Sequence, residues 1–373
     1  MAAADVLIVG GGVIGASIAY HLAERGARVT VLERGRIGGH ASLASAGLLH
    51  PIMEPEVTPA LHDLTVASDA LFPALVTRLR DLTGIDPQYQ TSGWLRVALE
   101  PRQVAALEAQ ATERARHDHD LRMVSDAEAR ALEPGISSAV VAGLHLPRGA
   151  QVYVPALLSA YLHAAARLSG TVRLGVEVEA LCLDGRRVVG VRTADGERIL
   201  AGHTVLAGGA WTPRLSADLG LTLPVFPMRG QILALHAIPA PLSHVVFGPG
   251  IYLAPKVDGS VVVGATYEDA GFDDRLTAAG LSTLLADAIR TAPVLANATF
   301  REAWVGLRPA SRDGLPILGP APGWEGVSVA TGHTAEGVSL SPITGVLMAA
   351  HIHGESPDPS LAPFRLERFV GLR

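Results

Sequence analysis

The opening run Asp5-Val-Leu-Ile-Val-Gly-Gly-Gly-Val-Ile-Gly15 restricts the fold more than any other stretch of the chain. Residues 6–9 are a short apolar run, the pattern of a strand buried on both faces. Gly10, Gly12 and Gly15 follow at G-x-G-x-x-G spacing, with Val13 and Ile14 inside the turn. Residues 16–25 read as a helix, with Ile18, Ala19 and Leu22 on one face and Glu24 and Arg25 on the other. Residues 28–32 read as a second strand, which ends at Glu33 and Arg34. Gly10 permits a tight turn, Gly12 lets a pyrophosphate approach the backbone, and Gly15 lets helix and strand pack closely. The helix N-terminus offers N–H groups and a positive dipole end to phosphates. Glu33 stands where a carboxylate accepts hydrogen bonds from a ribose hydroxyl pair. An ordinary β-α-β turn leaves Glu33 unexplained. A carboxylate there repels a 2′-phosphate, so FAD or NAD is favoured over NADP.

A chain of 373 residues has room for two domains of ordinary size. Its formal net charge is −6 and no basic block stands out, so a nucleic-acid partner is not expected. Cys182 is the single cysteine, which excludes an intrachain disulfide and any multi-cysteine metal site. His40 and His50 share no ligand spacing, and His117-Asp-His-Asp120 reads as a solvated turn, so no metal is expected. The N-terminus shows no basic region or cleavage pattern, and a cytoplasmic protein is expected. The longest uncharged stretch, residues 337–354, contains Pro342 and two histidines. It reads as a buried helix rather than a membrane span.

Small residues dominate from Gly38 to Gly47, a run that lets backbone lie against a flat ligand, with Ser42 and Ser45 as hydrogen-bond donors. Residues 63–82 read as an amphipathic helix carrying Leu64, Ala67, Leu71, Leu75, Leu79 and Leu82 on one face. Residues 91–99 alternate as a strand, and 103–116 read as a helix. Ser125 and Glu128 form a capping box for a helix over 126–132. A helix over 153–169 enters through Pro155. Strands over 172–178, 180–183 and 188–193 follow, the last two as a hairpin. Residues 204–211 read as a buried strand ending in Ala207, Gly208 and Gly209 before Trp211. Strands over 224–235, 251–255, 260–266 and 300–307 surround a helix over 278–292. A last parallel strand over 326–330 leads into residues 332–338, which open the final helix. Nucleotide-binding elements thus occur at the start, in the middle and at the end, and a mostly antiparallel region is inserted twice between them. Chemistry is expected where two such regions join.

Several stretches together resemble the D-amino-acid oxidase superfamily of flavoproteins, and within it the glycine oxidase and sarcosine oxidase branch. They are Val9-Gly-Gly-Gly-Val-Ile-Gly15, Ala44-Ser-Ala-Gly-Leu48, Pro227-Met-Arg-Gly-Gln231, Ile251-Tyr-Leu-Ala-Pro255, Val262-Val-Gly-Ala-Thr266, Trp304-Val-Gly-Leu-Arg-Pro309 and Asp313-Gly-Leu-Pro-Ile-Leu-Gly319, with the Gly332-His333 loop. The resemblance covers essentially the whole chain. It implies an α/β fold in which a Rossmann-like FAD-binding domain (residues 1–85, 150–222 and 306–373) is interleaved with an antiparallel-sheet α+β substrate domain (86–149 and 223–305). It implies FAD contacts along Ser42, Ser45, Ala46, Gly47 and Leu48, at Val178, at Ala207, Gly208, Gly209 and Trp211, and along Gly332, His333, Thr334, Ala335, Glu336, Gly337 and Val338. Arg308 matches the arginine that holds the substrate carboxylate, and Tyr252 a tyrosine whose hydroxyl reaches the same group. A planar guanidinium suits that task, because it binds a carboxylate bidentately.

The chain departs from the resemblance at one informative place. The closest branch carries an arginine after Gly-His, where this chain has Ala335 beside Glu336. Cys182 matches no position of covalent flavin attachment, so non-covalent FAD is expected. The resemblance further implies oxidation of a small amino acid (glycine, sarcosine or a D-amino acid) by hydride transfer from Cα to flavin N5. The products are a 2-oxo acid, ammonia or an amine, and hydrogen peroxide where dioxygen accepts the electrons. The final helix is expected to aim its N-terminus at the flavin. No general base stands out, and none is needed if the amine binds neutral. Two other readings stay open: a dehydrogenase passing electrons to a quinone or carrier, and a flavin-bearing RNA-modification or binding module. Association into a homo-oligomer is left open.

Overall fold

The computed structural model describes residues 4–49, 58–114, 120–355 and 358–369. The chain begins β1 (Ala4–Val9), α1 (Val13–Glu24), β2 (Val29–Glu33), β3 (Leu48–Leu49), α2 (Pro59–Thr83), β4 (Gln90–Thr91), β5 (Trp94–Ala98) and α3 (Pro101–Arg114). It continues β6 (Arg122–Ser125), α4 (Asp126–Leu132), β7 (Ala142–Leu146), β8 (Ala150–Gln151), α5 (Val154–Leu168), β9 (Thr171–Leu174), β10 (Val178–Asp184), β11 (Arg187–Thr193), β12 (Arg198–Leu206) and α6 (Thr212–Ser216). The last third is β13 (Val225–His236), β14 (Val245–Gly248), β15 (Ile251–Pro255), β16 (Ser260–Gly264), α7 (Ala278–Thr291), β17 (Thr299–Ser311), β18 (Ile317–Pro320), β19 (Val327–Thr331) and α8 (Ser341–Ile352).

Two eight-stranded sheets carry the molecule. In the first, β1 lies between β2 and β12 and is parallel to both, and β19 pairs parallel with the end of β12. The hairpin β10–β11 extends one edge and β9 the other. Strands buried on both faces need a helix layer, and α1, α5 and α8 supply it, with α1 packed on α5 and on α8 and α2 against the same two helices. The helix α1 is therefore buried nearly all round, from Val13 to Ala23, rather than along one stripe of Ile18, Ala19 and Leu22. On α2, Leu64, Leu75 and Leu79 face the core as expected, joined by Phe72, but Ala67 is exposed and Leu71 and Leu82 are half-buried. Each such buried large side chain contributes roughly 1.5–3 kcal/mol.

The second sheet has the order β17-β13-β16-β15-β14-β5-β7-β6. It is antiparallel except where β14 pairs parallel with β5. The strand expected over 91–99 breaks at Gly93 into β4 and β5, because Gly93 takes φ +71 and interrupts the pleat. The strand expected from 172 is short, and the chain turns at Gly175 before β10. The strand β14 has no counterpart in the sequence reading. The capping box on α4 forms as read, with Ser125 Oγ accepting from the Glu128 amide and the Glu128 carboxylate accepting from the Ser125 amide. The last strand does not lead straight into a helix: residues 337–340 form a single turn, and α8 begins at Ser341. His50 and His117-Asp-His119 lie outside the described residues.

Candidate active site

A cavity of about 820 Å³ opens between the two sheets. The β1–α1 turn forms one end. At Gly10 the backbone takes φ +118, and a Cβ there would stand 2.4 Å from the Ala207 carbonyl oxygen. A Cβ on Gly15 would stand 2.1 Å from the Gly10 carbonyl oxygen. These two glycines are thus fixed by the approach of β12 to the turn and of α1 to β1. Gly12 differs: it lines the cavity, as Gly10 does, but a Cβ there would meet only Ser42 Oγ, at 3.2 Å. The Glu33 carboxylate accepts the Gly11 amide at 2.8 Å on one oxygen and the Gly35 amide at 2.9 Å on the other. Each oxygen keeps a lone pair for a ribose hydroxyl. An open glycine edge at a helix N-terminus with an oriented acid beyond it fits the adenosine and pyrophosphate of FAD.

The small-residue loop lies along the wall. Its serines line the cavity with their oxygens already in use as acceptors, which leaves each O–H to donate. Ser42 Oγ accepts the Val13 amide at 3.0 Å, and Ser45 Oγ accepts the Gly47 amide at 3.1 Å. The reason is local: the first amides of α1 have no partner inside the helix, and Ser42 takes one of them. The loop is tied down by Lys256, whose Nζ donates to the Ala46 carbonyl at 2.6 Å and to Gln151 Oε1 at 2.6 Å. Burial pulls the Lys256 ammonium down to about 7. Across the cavity, the Arg34 guanidinium lies 4.3 Å from the Trp211 ring centre, and the His40 ring is 4.4 Å from it on centroids. His40 thus belongs to the cavity wall.

The other end is built by the second sheet. Register places Arg308 on β17 opposite Met228 on β13, and Tyr252 on β15 opposite Gly264 on β16. The Arg308 guanidinium lies flat on Gly230, where a Cβ would come within 2.4–2.7 Å of its Nη1, Cζ and Nη2. Its Nη1 donates to the Thr266 carbonyl at 3.1 Å. The Tyr252 ring covers Gly264, and burial pushes its hydroxyl pKa upward, so it stays a neutral donor. The turn over 332–338 is sewn to the same strand as Arg308: the Thr334 amide donates to the Pro309 carbonyl at 3.0 Å. His333 is buried beneath it, Nε2 3.1 Å from Thr344 Oγ1, and burial pushes its imidazole down to about 3.

Of the residues singled out from the sequence, all but Gly15, Gly47 and Gly332 line this one cavity. Gly15 and Gly47 are set by packing, a Cβ on Gly47 standing 2.2 Å from the Val152 carbonyl oxygen, and Gly332 by its φ of +74. Sequence reasoning missed Arg96, Phe247, Tyr267 and Arg214, which also line it. The alternation of β5 carries a signal for Arg96, since Leu95 and Val97 enter the core on the opposite face. For Tyr267 the sequence holds no such signal.

A sheet with a parallel centre, a glycine turn and an oriented acid, joined through one cavity to a mostly antiparallel sheet bearing an arginine and a tyrosine, defines a dinucleotide-dependent oxidoreductase. Residues 5–351 match the FAD dependent oxidoreductase family model, and the chain belongs to that family. It is 36% identical over 369 residues to a glycine oxidase of Geobacillus kaustophilus, covering 98% of this chain and 97% of that one. It is 38% identical to the bifunctional protein ThiO/ThiG of Trichormus variabilis; that match takes in 98% of this chain but spans only 55% of the relative. Among solved structures, the Geobacillus kaustophilus glycine oxidase superposes with a TM-score of 0.94, at 36% identity over 99% of both chains. Iminodiacetate oxidase from Chelativorans sp. BNC1 gives 0.90, at 33% identity over 96% of this chain and 98% of the other.

Proposed function

We propose that this protein is an FAD-dependent oxidase of a small amino acid, with glycine, sarcosine and D-amino acids as the substrate class. The observation that carries this reading is Arg308, whose guanidinium is held flat in the cavity that begins at the glycine turn. Arg308 binds the substrate carboxylate through its fork, and Tyr252 adds a second donor to the same group. Two fixed contacts on one carboxylate leave the Cα–H a single direction to point, and positioning of that kind supplies several kcal/mol. Bound FAD supplies the two-electron acceptor that takes the hydride. No side chain needs to act as base if the amine enters neutral. The resulting imine is hydrolysed by water to a 2-oxo acid and ammonia or an amine, and hydrogen peroxide appears where dioxygen takes the electrons. The amides of the Gly10 turn and the Glu33 carboxylate would hold the pyrophosphate and ribose of the cofactor and take no part in the reaction.

A peroxide-coupled screen of glycine, sarcosine and D-amino acids on the purified protein tests the reading. Peroxide formed in proportion to amine consumed supports an oxidase. Flavin reduced by amino acid but reoxidised in air only when a quinone is added identifies a dehydrogenase instead. No reduction by any amino acid removes the proposal altogether.

A further inference from the structure

The segment between β16 and α7 places one aromatic ring against the arginine. The Arg308 Cζ lies 4.2 Å from the centre of the Tyr267 ring, the spacing of a cation–π contact. Tyr267 is 60% exposed, so its ring is not placed by burial in a core. It is placed through its neighbours. On one side, the Thr266 carbonyl accepts from Arg308, and the Thr266 hydroxyl donates to Glu268 at 2.5 Å. On the other, the Glu268 amide donates to the Arg229 carbonyl at 3.0 Å, and the Arg229 amide donates back to the Glu268 carbonyl at 2.9 Å. The Glu268 carboxylate is 2.5 Å from the Nη2 of Arg229, a buried arginine, and accepts from Gln231 Nε2 at 2.7 Å. Burial opposes the Glu268 charge, yet these hydrogen bonds hold its carboxyl below the usual range. The backbone of Tyr267 is therefore set between two anchored residues, and its ring lies over the guanidinium at the carboxylate end of the cavity.

We infer that Tyr267 is a positioning residue for the carboxylate clamp: its ring fixes the plane of the Arg308 guanidinium and keeps water from one part of it. This rests on the proposed role of Arg308. A guanidinium with a fixed plane loses less freedom when a carboxylate docks on its edge, and partial drying strengthens the pair. The ring does this work, not the hydroxyl, so phenylalanine substitutes and leucine does not. The effect falls on carboxylate binding rather than on electron transfer.

The test uses FAD-loaded protein and acetate, a carboxylate with no amine to oxidise, titrated while the visible flavin spectrum is followed. Tyr267→Leu is expected to raise the acetate Kd and the amino-acid KM about tenfold, within the range of a cation–π contact, with kcat changed less than about twofold. Tyr267→Phe is expected to stay within about twofold of the parent on both. Equal flavin content in the variants shows that the cofactor end is intact. A leucine variant that binds acetate as the parent does overturns the inference, and so does a phenylalanine variant that fails as badly as leucine. Arg308→Lys separates the two layers of the argument. If it binds acetate as tightly as the parent, or if the parent shows no acetate response, the clamp itself is wrong and Tyr267 falls with it.

Discussion

At the scale of single residues, Arg308 carries the greatest weight. Arg308→Ala is expected to cost about 2–5 kcal/mol in kcat/KM for amino acids, the range for removing one partner of a buried charge pair. Lysine restores the charge but not the fork, so Arg308→Lys remains poor. Steady-state kinetics on both variants check this, and parent-like activity in the alanine variant rules the assignment out. Ala335 presents a methyl group on the same cavity wall, at a place where the resemblance to glycine oxidases implies a long cation. Glycine needs no side-chain room and gains nothing from the extra space. A bulkier amine does gain, since one methylene in an apolar pocket contributes roughly 1–3 kcal/mol of discrimination. At least one larger substrate is therefore expected to match glycine in kcat/KM, and Ala335→Arg is expected to restore the preference for glycine. An unchanged ranking in that variant removes Ala335 from specificity. His333 gives a prediction of stability against pH. Its ordinary value is 6.5 and burial pushes it to about 3, so the unfolded chain takes up a proton that the folded chain refuses. Stability from this group is complete above pH 6.5 and is lost as pH falls towards 3, at about 1.4 kcal/mol per pH unit. His145 and His203, both held near 4 by burial, act with the same sign. Denaturant titrations at about pH 7.5 and about pH 5 should therefore show the parent losing about 2 kcal/mol more than His333→Gln, which cannot titrate.

At the scale of elements, the β1–α1–β2 unit is the most legible part of the chain. Its glycines, its apolar run and Glu33 each have one physical use, and all are within one short segment. The structure adds that the glycines divide into two kinds. Gly15→Val collides with the Gly10 carbonyl and should destabilise the protein with or without FAD. Gly12→Ala meets only a serine hydroxyl, so the fold should survive while FAD affinity falls. Melting curves of the FAD-free proteins beside FAD titrations tell the two apart; a Gly12→Ala variant with parent affinity contradicts the cradle. Other elements are less legible for identifiable reasons. Helix α1 looks amphipathic locally, but its outer side meets α5 and α8, which lie far along the chain. The start of α8 is misjudged by several residues because the uncharged run that becomes α8 already begins at Gly337, while its first residues make one turn before Ser341. Pairing of β14 with β5 depends on distant register, which no local pattern records. Tyr267 is invisible for the same reason: its meaning comes from Arg308, on a strand far along the chain.

At the scale of the molecule, the cofactor end and the carboxylate end share one cavity but come from different sheets. With Cys182 buried in β10, away from that cavity, FAD is expected to be held without a covalent bond. The purified protein should be yellow, and heat or acid should release FAD into the supernatant. Flavin that remains in the precipitated chain contradicts this. Added FAD should raise Tm in a concentration-dependent way, because only the folded chain has the cavity. The two-sheet plan follows from the sequence because the glycine turn calls for a parallel sheet, while strands at short spacing later in the chain call for an antiparallel one. The assembled order of strands also governs when the site can exist. Val9 pairs with Leu206, and Leu206 with Val329. A ribosome that has made the glycine turn still has most of the chain to make before β12 and β19 arrive to flank it. Such distant pairings form slowly and leave apolar strand faces uncovered meanwhile. Cofactor capture is then among the last events of biogenesis, and a stalled or clipped chain has the turn without the cavity. Flavin loading thereby distinguishes finished molecules from unfinished ones.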